Sequence, residues 1–106
     1  MLPEKRNNVL QLIASVVYSS DPNAQIVLYG SRARGDARKD SDWDVIVLLD
    51  KDNVPYNERS EISCDLWEKG LEIGEEINAF VYTKKQWESA PASLFKYNVG
   101  KEGIQL

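Results

Sequence analysis

Leu28-Tyr29-Gly30-Ser31 and, after the ten residues 32–41, Asp42-Trp43-Asp44-Val45-Ile46-Val47-Leu48-Leu49 decide how this chain is read. The first stretch is an apolar run ending in a glycine–serine turn. The second puts two carboxylates at i and i+2 at the head of another apolar run. Side chains alternate faces along a strand, so Asp42 and Asp44 point one way while Trp43 and Val45 point the other. Two ionised carboxylates held side by side repel each other. A hard divalent cation relieves that repulsion, and Mg²⁺ characteristically binds one or two carboxylates together with substrate phosphates. The Gly30-Ser31 turn offers a place for phosphate, because glycine lets backbone amides approach an anion closely. Ser31 also has an ordinary role open to it, as the cap of a following helix.

Working outward, composition narrows the chemistry. The chain has 106 residues, enough for one core and one domain over residues 1–106. With 42% apolar and 28% charged residues it is neither disordered nor membrane-embedded in type. No apolar run approaches the roughly 20 residues that span a bilayer. Met1-Leu2-Pro3-Glu4-Lys5-Arg6 lacks the layout of a signal peptide, so the expected location is cytoplasmic. There is no histidine, which removes Ser-His-Asp and Cys-His catalysis and histidine zinc sites together. Proton transfer falls to carboxylates, tyrosine, lysine or a metal-bound water. The single cysteine, Cys64, allows no internal disulfide and is expected to be a buried, inert thiol. A net charge of −4 argues against direct binding to nucleic acid through bulk electrostatics. It leaves a nucleotide open, since only the local field at the phosphates matters there. Locally, Arg32, Arg34, Arg38 and Lys39 stand among Asp36, Asp40, Asp42 and Asp44.

Periodicity sets the elements around this centre. Val9, Leu12, Ile13, Val16 and Val17 predict an amphipathic helix over 3–20, with Pro3 in its first turn and Ser19-Ser20-Asp21-Pro22-Asn23 ending it. Residues 25–29 read as a buried strand, 31–37 as a short helix whose first amides face the phosphate position, and 36–41 as a charged loop. Residues 43–49, nearly all apolar after Asp44, read as a central strand covered on both faces. A second helix follows over 56–71 with Ile62, Leu66 and Trp67, then a third strand over 76–82. Thr83 is expected to cap a turn through Trp87, Pro91 to open a last helix holding Leu94, Phe95 and Val99, and residues 103–106 to form a small edge strand. Tyr29, Trp43, Trp67 and Trp87 are expected to be packing residues. The order α-β-α-β-α-β-α places the chain in the α/β (α+β) class, a sheet covered by helices.

Gly30-Ser31, ten residues, then Asp42-Trp43-Asp44, with apolar residues on both flanks, resembles the minimal nucleotidyltransferases of the DNA polymerase beta superfamily. The intervening Arg32-Ala33-Arg34-Gly35-Asp36, Ser41 and the tail Lys101-Glu102-Gly103-Ile104 are similar as well. The resemblance implies the nucleotidyltransferase fold, a small mixed β-sheet flanked by helices. It implies Mg²⁺ on Asp42 and Asp44, and a nucleoside triphosphate, ATP by expectation, on Gly30 and Ser31 with Arg32 and Arg34 as nucleotide-binding side chains. The reaction implied is transfer of a nucleotidyl group to a hydroxyl, with pyrophosphate leaving. Such small proteins also resemble the antitoxin halves of two-gene systems, in which AMP is added to a tyrosine of a HEPN-domain ribonuclease.

Members of that family generally draw a third carboxylate from the next core strand. Here Glu76-Ile77-Asn78-Ala79-Phe80 puts Asn78 where aspartate would stand. Asparagine can offer a carbonyl to a metal, but it is neutral and takes no proton. Glu76, two residues earlier on the same face, is the leading substitute and joins Asp42 and Asp44 as a candidate catalytic residue; Glu75 and Asp65 are weaker ones. Asn78 also keeps a second class open: a nucleotide-binding module without catalysis, acting on its partner by contact alone.

Overall fold

Apolar residues at helical spacing give the molecule its first layer. The computed structural model describes residues 3–106, with side chains from Arg6 onward; Met1 and Leu2, part of the segment read above for a signal peptide, lie outside the described residues. Helix α1 runs Pro3–Ser20. Its Val9, Ile13, Val16 and Val17 are buried, while Leu12 packs at the margin of the same core. Asp21 ends the helix, and its buried carboxylate accepts from the backbone N–H of Asn23 (2.9 Å) and of Asp50 (2.7 Å). One satisfied carboxylate thus ties the turn after α1 to the loop beyond the central strand.

Strands β1 (Gln25–Tyr29), β2 (Trp43–Leu49), β3 (Ile77–Thr83) and β4 (Ile104–Gln105) form one sheet in the order β3-β2-β1-β4. β2 is antiparallel to β1 and parallel to β3, and β4 is antiparallel to β1, so the sheet is mixed. The parallel pair needs a long crossover, which helix α3 (Tyr56–Glu72) supplies. Trp43, Val45, Val47 and Leu49 join α1 and α3 in the main core. The opposite face of β2 sets Ile46 and Leu48 against Val99, with Trp87 at the edge. These come from the helices after β3, α4 (Lys84–Ser89) and α5 (Leu94–Glu102). Cover on both faces is why β2 reads as an unbroken apolar run. Among the described residues no helix is long and apolar enough to cross a membrane.

Several expectations shift in detail, each for a local reason. Helix α2 is only Ser31–Arg34, because Gly35 takes φ 87 and ends it before Ala37. α5 starts at Leu94 rather than Pro91, since Ser93 caps it by accepting from the Lys96 N–H at 3.1 Å. Leu94 is exposed, Phe95 is only partly covered, and Val99 alone in that helix is buried. Thr83 and Gln86 form a reciprocal capping box at the head of α4, each side chain bonded to the other's backbone. Cys64 is exposed, not buried. The buried stripe of α3 runs Ile62, Leu66, Gly70, which turns both Cys64 and the 39%-exposed Trp67 away from the core. Trp43 is completely buried and Trp87 half-buried, so the three tryptophans have three different fates.

Candidate active site

The antiparallel register of β1 and β2 sets Tyr29 opposite Asp44, so the turn leaving β1 passes over the head of β2. Gly30 occupies φ 76 and ψ −158, a region essentially restricted to glycine. A β-carbon there would stand 2.9 Å from Asp44 Oδ2. The backbone conformation therefore calls for glycine, and a side chain here would push the Asp44 carboxylate from its position. Gly30 is also the cap of α2, with its carbonyl accepting from Ala33 and Arg34 N–H at 3.0 Å each; Ser31 is the first helical residue instead.

Asp42 leaves the same face two residues before Asp44, and both are half-buried. The parallel register brings Asn78 beside Asp44. Its Nδ2 donates to Asp42 Oδ2 at 3.0 Å. Burial, then the negative charge of Asp42, raise the Asp44 carboxyl above its ordinary range, and a hydrogen bond from Asn78 partly offsets them. Glu76 is exposed just before β3. A hydrogen bond with Asp42, then the charge of Asp42, raise its carboxyl too. Like charges crowded together favour the protonated form of each acid, which is the direction of both shifts.

Among the described residues, no three His, Cys, Asp or Glu side chains stand at metal-holding spacing. The donor set is a carboxylate pair with an amide beside it. Those hard oxygen donors fit Mg²⁺, which fills its remaining positions with phosphate and water.

Arg32 and Arg34 diverge. Arg34 is exposed and pairs with Asp36 and Glu102, both at 3.1 Å, linking α2 to the end of α5. Arg32 is buried; its Nη2 donates to the carbonyls of Ser41 (2.8 Å) and Lys39 (3.3 Å), and its guanidinium carbon lies 4.5 Å from the centre of the Trp43 ring. Trp43 Nε1 in turn donates to buried Glu75 at 3.0 Å. Sequence reasoning missed this unit, because no spacing rule joins positions 32, 43 and 75. Glu75 had been weighed only as a spare carboxylate.

Beside the carboxylates stands an aromatic wall. The Phe95 ring meets Tyr29 edge-on at 5.6 Å, with Trp87 and Phe80 at 6.2 and 6.3 Å. Burial, with Asp44 and Tyr82 nearby, leaves the Tyr29 phenol pushed up to about 12.

Three solved structures share this architecture. A toxin–antitoxin with AMP-PNP superposes with a TM-score of 0.64 at 21% identity, covering 90% of this chain and 69% of that one. A protein from Sulfolobus solfataricus described as a nucleotidyltransferase gives 0.60 at 20% identity, covering 96% and 82%. A mutant of the toxin–antitoxin MntA-HpeT gives 0.62 at 21% identity, covering 100% and 72%. At such identities the likeness is one of fold. No curated protein matches the sequence. Residues 10–99, a span that includes both the glycine turn and the carboxylate pair, match the nucleotidyltransferase domain, and the chain belongs to that family.

Proposed function

We propose that this protein is a Mg²⁺-dependent nucleotidyltransferase that moves AMP from ATP to a hydroxyl on a partner polypeptide in the cytoplasm, as the antitoxin of a toxin–antitoxin pair. The acceptor is a tyrosine of a HEPN-type toxin. The observation that carries this reading is the contact of the Gly30 turn with Asp44, on the face that Asp42 shares. Asp42 and Asp44 would hold the ion, and Gly30 and Ser31 the triphosphate. The ion so held would neutralise charge on the phosphates. The acceptor oxygen forms a bond to the α-phosphorus as the bond to the bridging oxygen of pyrophosphate breaks. The hydroxyl proton passes to a carboxylate of the cluster, with Glu76 as the third acid. Catalysis is mainly positioning and stabilisation of developing charge. The fold's likeness to a toxin–antitoxin carrying AMP-PNP supports ATP and a toxin as the two partners.

Asn78 favours a second reading. Its Nδ2 donates to Asp42, where a third carboxylate would take a proton. The chain would then bind nucleotide and restrain its partner by contact alone. ATP labelled at the α-phosphate, incubated with Mg²⁺ and the product of the neighbouring gene, separates the two. Label on the partner that vanishes in Asp42→Asn supports transfer. No label, with the partner inhibited as strongly by Asp42→Asn/Asp44→Asn protein as by wild type, supports the contact reading.

A further inference from the structure

We infer that Arg32 is a positioning residue that fixes the distance between the two halves of the site, rather than a contact to phosphate; the inference rests on the nucleotidyltransferase reading. The glycine turn and the carboxylate pair belong to different strands and are joined by the loop over residues 35–41. One side chain from the helix before that loop holds the loop's far end. Arg32 lies in α2, one residue past Ser31, and its guanidinium donates to the carbonyl of Ser41, the residue before Asp42. It also donates to Lys39 within the loop and lies over the ring of Trp43, between the two aspartates. Glu75 completes the unit, 3.8 Å from the guanidinium and bonded to the Trp43 indole. From the other side, Arg6 donates to the Arg32 carbonyl at 3.0 Å and ties α2 to α1.

Chemistry explains why arginine stands here. Two carbonyls, a ring face and a carboxylate surround one planar cation, which presents five donors in fixed directions; a lysine ammonium can neither stack nor span them. Burying that charge is costly without hydrogen-bond partners, and the carbonyls of Lys39 and Ser41 supply two. With its side chain only 2% exposed, Arg32 sits away from the solvent-facing side that a triphosphate must enter. A phosphate ligand would be open to solvent before the nucleotide arrives.

Arg32→Lys tests the assignment, because it keeps the charge and loses the fork. We expect kcat for AMP transfer to fall on the order of 10²-fold, as misplaced reacting groups do. The Kd for ATP measured in EDTA should stay within about twofold, the split that separates positioning from uniform binding. Backbone amides of residues 36–42 should exchange faster with deuterium. A metal-free ATP affinity that falls in step with kcat, or exchange over 36–42 that does not change, overturns the inference. If wild-type protein transfers no label, the enzymatic reading fails by that result, and ATP affinity and loop exchange still decide the role of Arg32. Should Arg32→Lys not fold, Glu75→Gln removes the buried countercharge while leaving the indole an acceptor. It should speed exchange over 36–42 without weakening metal-free ATP binding, and unchanged exchange there contradicts the assignment.

Discussion

Gly30 and Asp44 are fitted against each other: a β-carbon on Gly30 would come within 2.9 Å of Asp44 Oδ2. A side chain added at the turn would displace the carboxylate. Gly30→Ala forces either the backbone out of its positive-φ conformation or the carboxylate off its position. We expect a stability loss of about 1–3 kcal/mol, read by urea denaturation, with loss of Mg²⁺-dependent ATP binding. Wild-type stability in this variant would mean that the turn is not under the constraint described.

The raised Asp44 and Glu76 carboxyls give the metal-free protein a pH dependence of definite sign. Between their ordinary values of 3.8 and 4.5 and their higher folded values, the folded protein holds more protons than the unfolded chain. The contribution of these two acids to stability therefore falls as pH rises through that window and stays lowered above it. Mg²⁺ should restore stability at neutral pH and do less at acid pH, where protons compete with it for the carboxylates. Thermal midpoints taken across pH with Mg²⁺ and with EDTA check this. A midpoint that rises with pH through the window in EDTA would contradict it.

Removing the repulsion should also stabilise the metal-free protein. Asp44→Asn takes away one of two crowded charges, and because the pair is half open to solvent the gain should stay below about 1 kcal/mol. The variant should no longer respond to Mg²⁺. Denaturation in EDTA and in Mg²⁺ reads both effects, and equal metal stabilisation of variant and wild type would remove Asp44 from the ion's ligands.

Asn78 stands where the resemblance implies a third acid, and Glu76 is the proposed substitute; substitution separates the two positions. Asn78→Asp replaces the donor on Asp42 with another acid, so metal-free stability should fall by about 1–3 kcal/mol. With Mg²⁺, transfer should rise, because a positioned base is added. Glu76→Gln should abolish transfer in the wild-type background, spare nucleotide binding, and be rescued by Asn78→Asp. Unchanged transfer in Glu76→Gln alone would free Glu76 of any catalytic part.

Most of the fold was legible because its signals are local. Val9 to Val17 carry a helical period, the run after Asp44 announces a two-sided central strand, and the Gly-Ser turn precedes the carboxylates at a fixed interval. What sequence did not disclose depends on which way an element rolls or on distant partners. Cys64 and Trp67 look apolar in a list, yet the stripe through Ile62, Leu66 and Gly70 turns them outward. Pro91 looks like a helix start, but Ser93 offers the better cap. Within the site, the proximity of Gly30, Asp42, Asp44 and Asn78 follows from strand pairing that alternation alone cannot register. The structure sets Arg32 against Ser41, Trp43 and Glu75, neighbours that only the tertiary fold brings to it.

Calorimetric titration of ATP into the protein, in Mg²⁺ and in EDTA, reads the convergence of turn and carboxylates most directly. Wild-type protein should bind ATP more tightly in Mg²⁺, and Asp42→Asn/Asp44→Asn should bind it equally in both. Metal-independent binding by wild type, or a metal effect that persists in the double variant, would contradict a site built from Gly30, Asp42 and Asp44 around one ion.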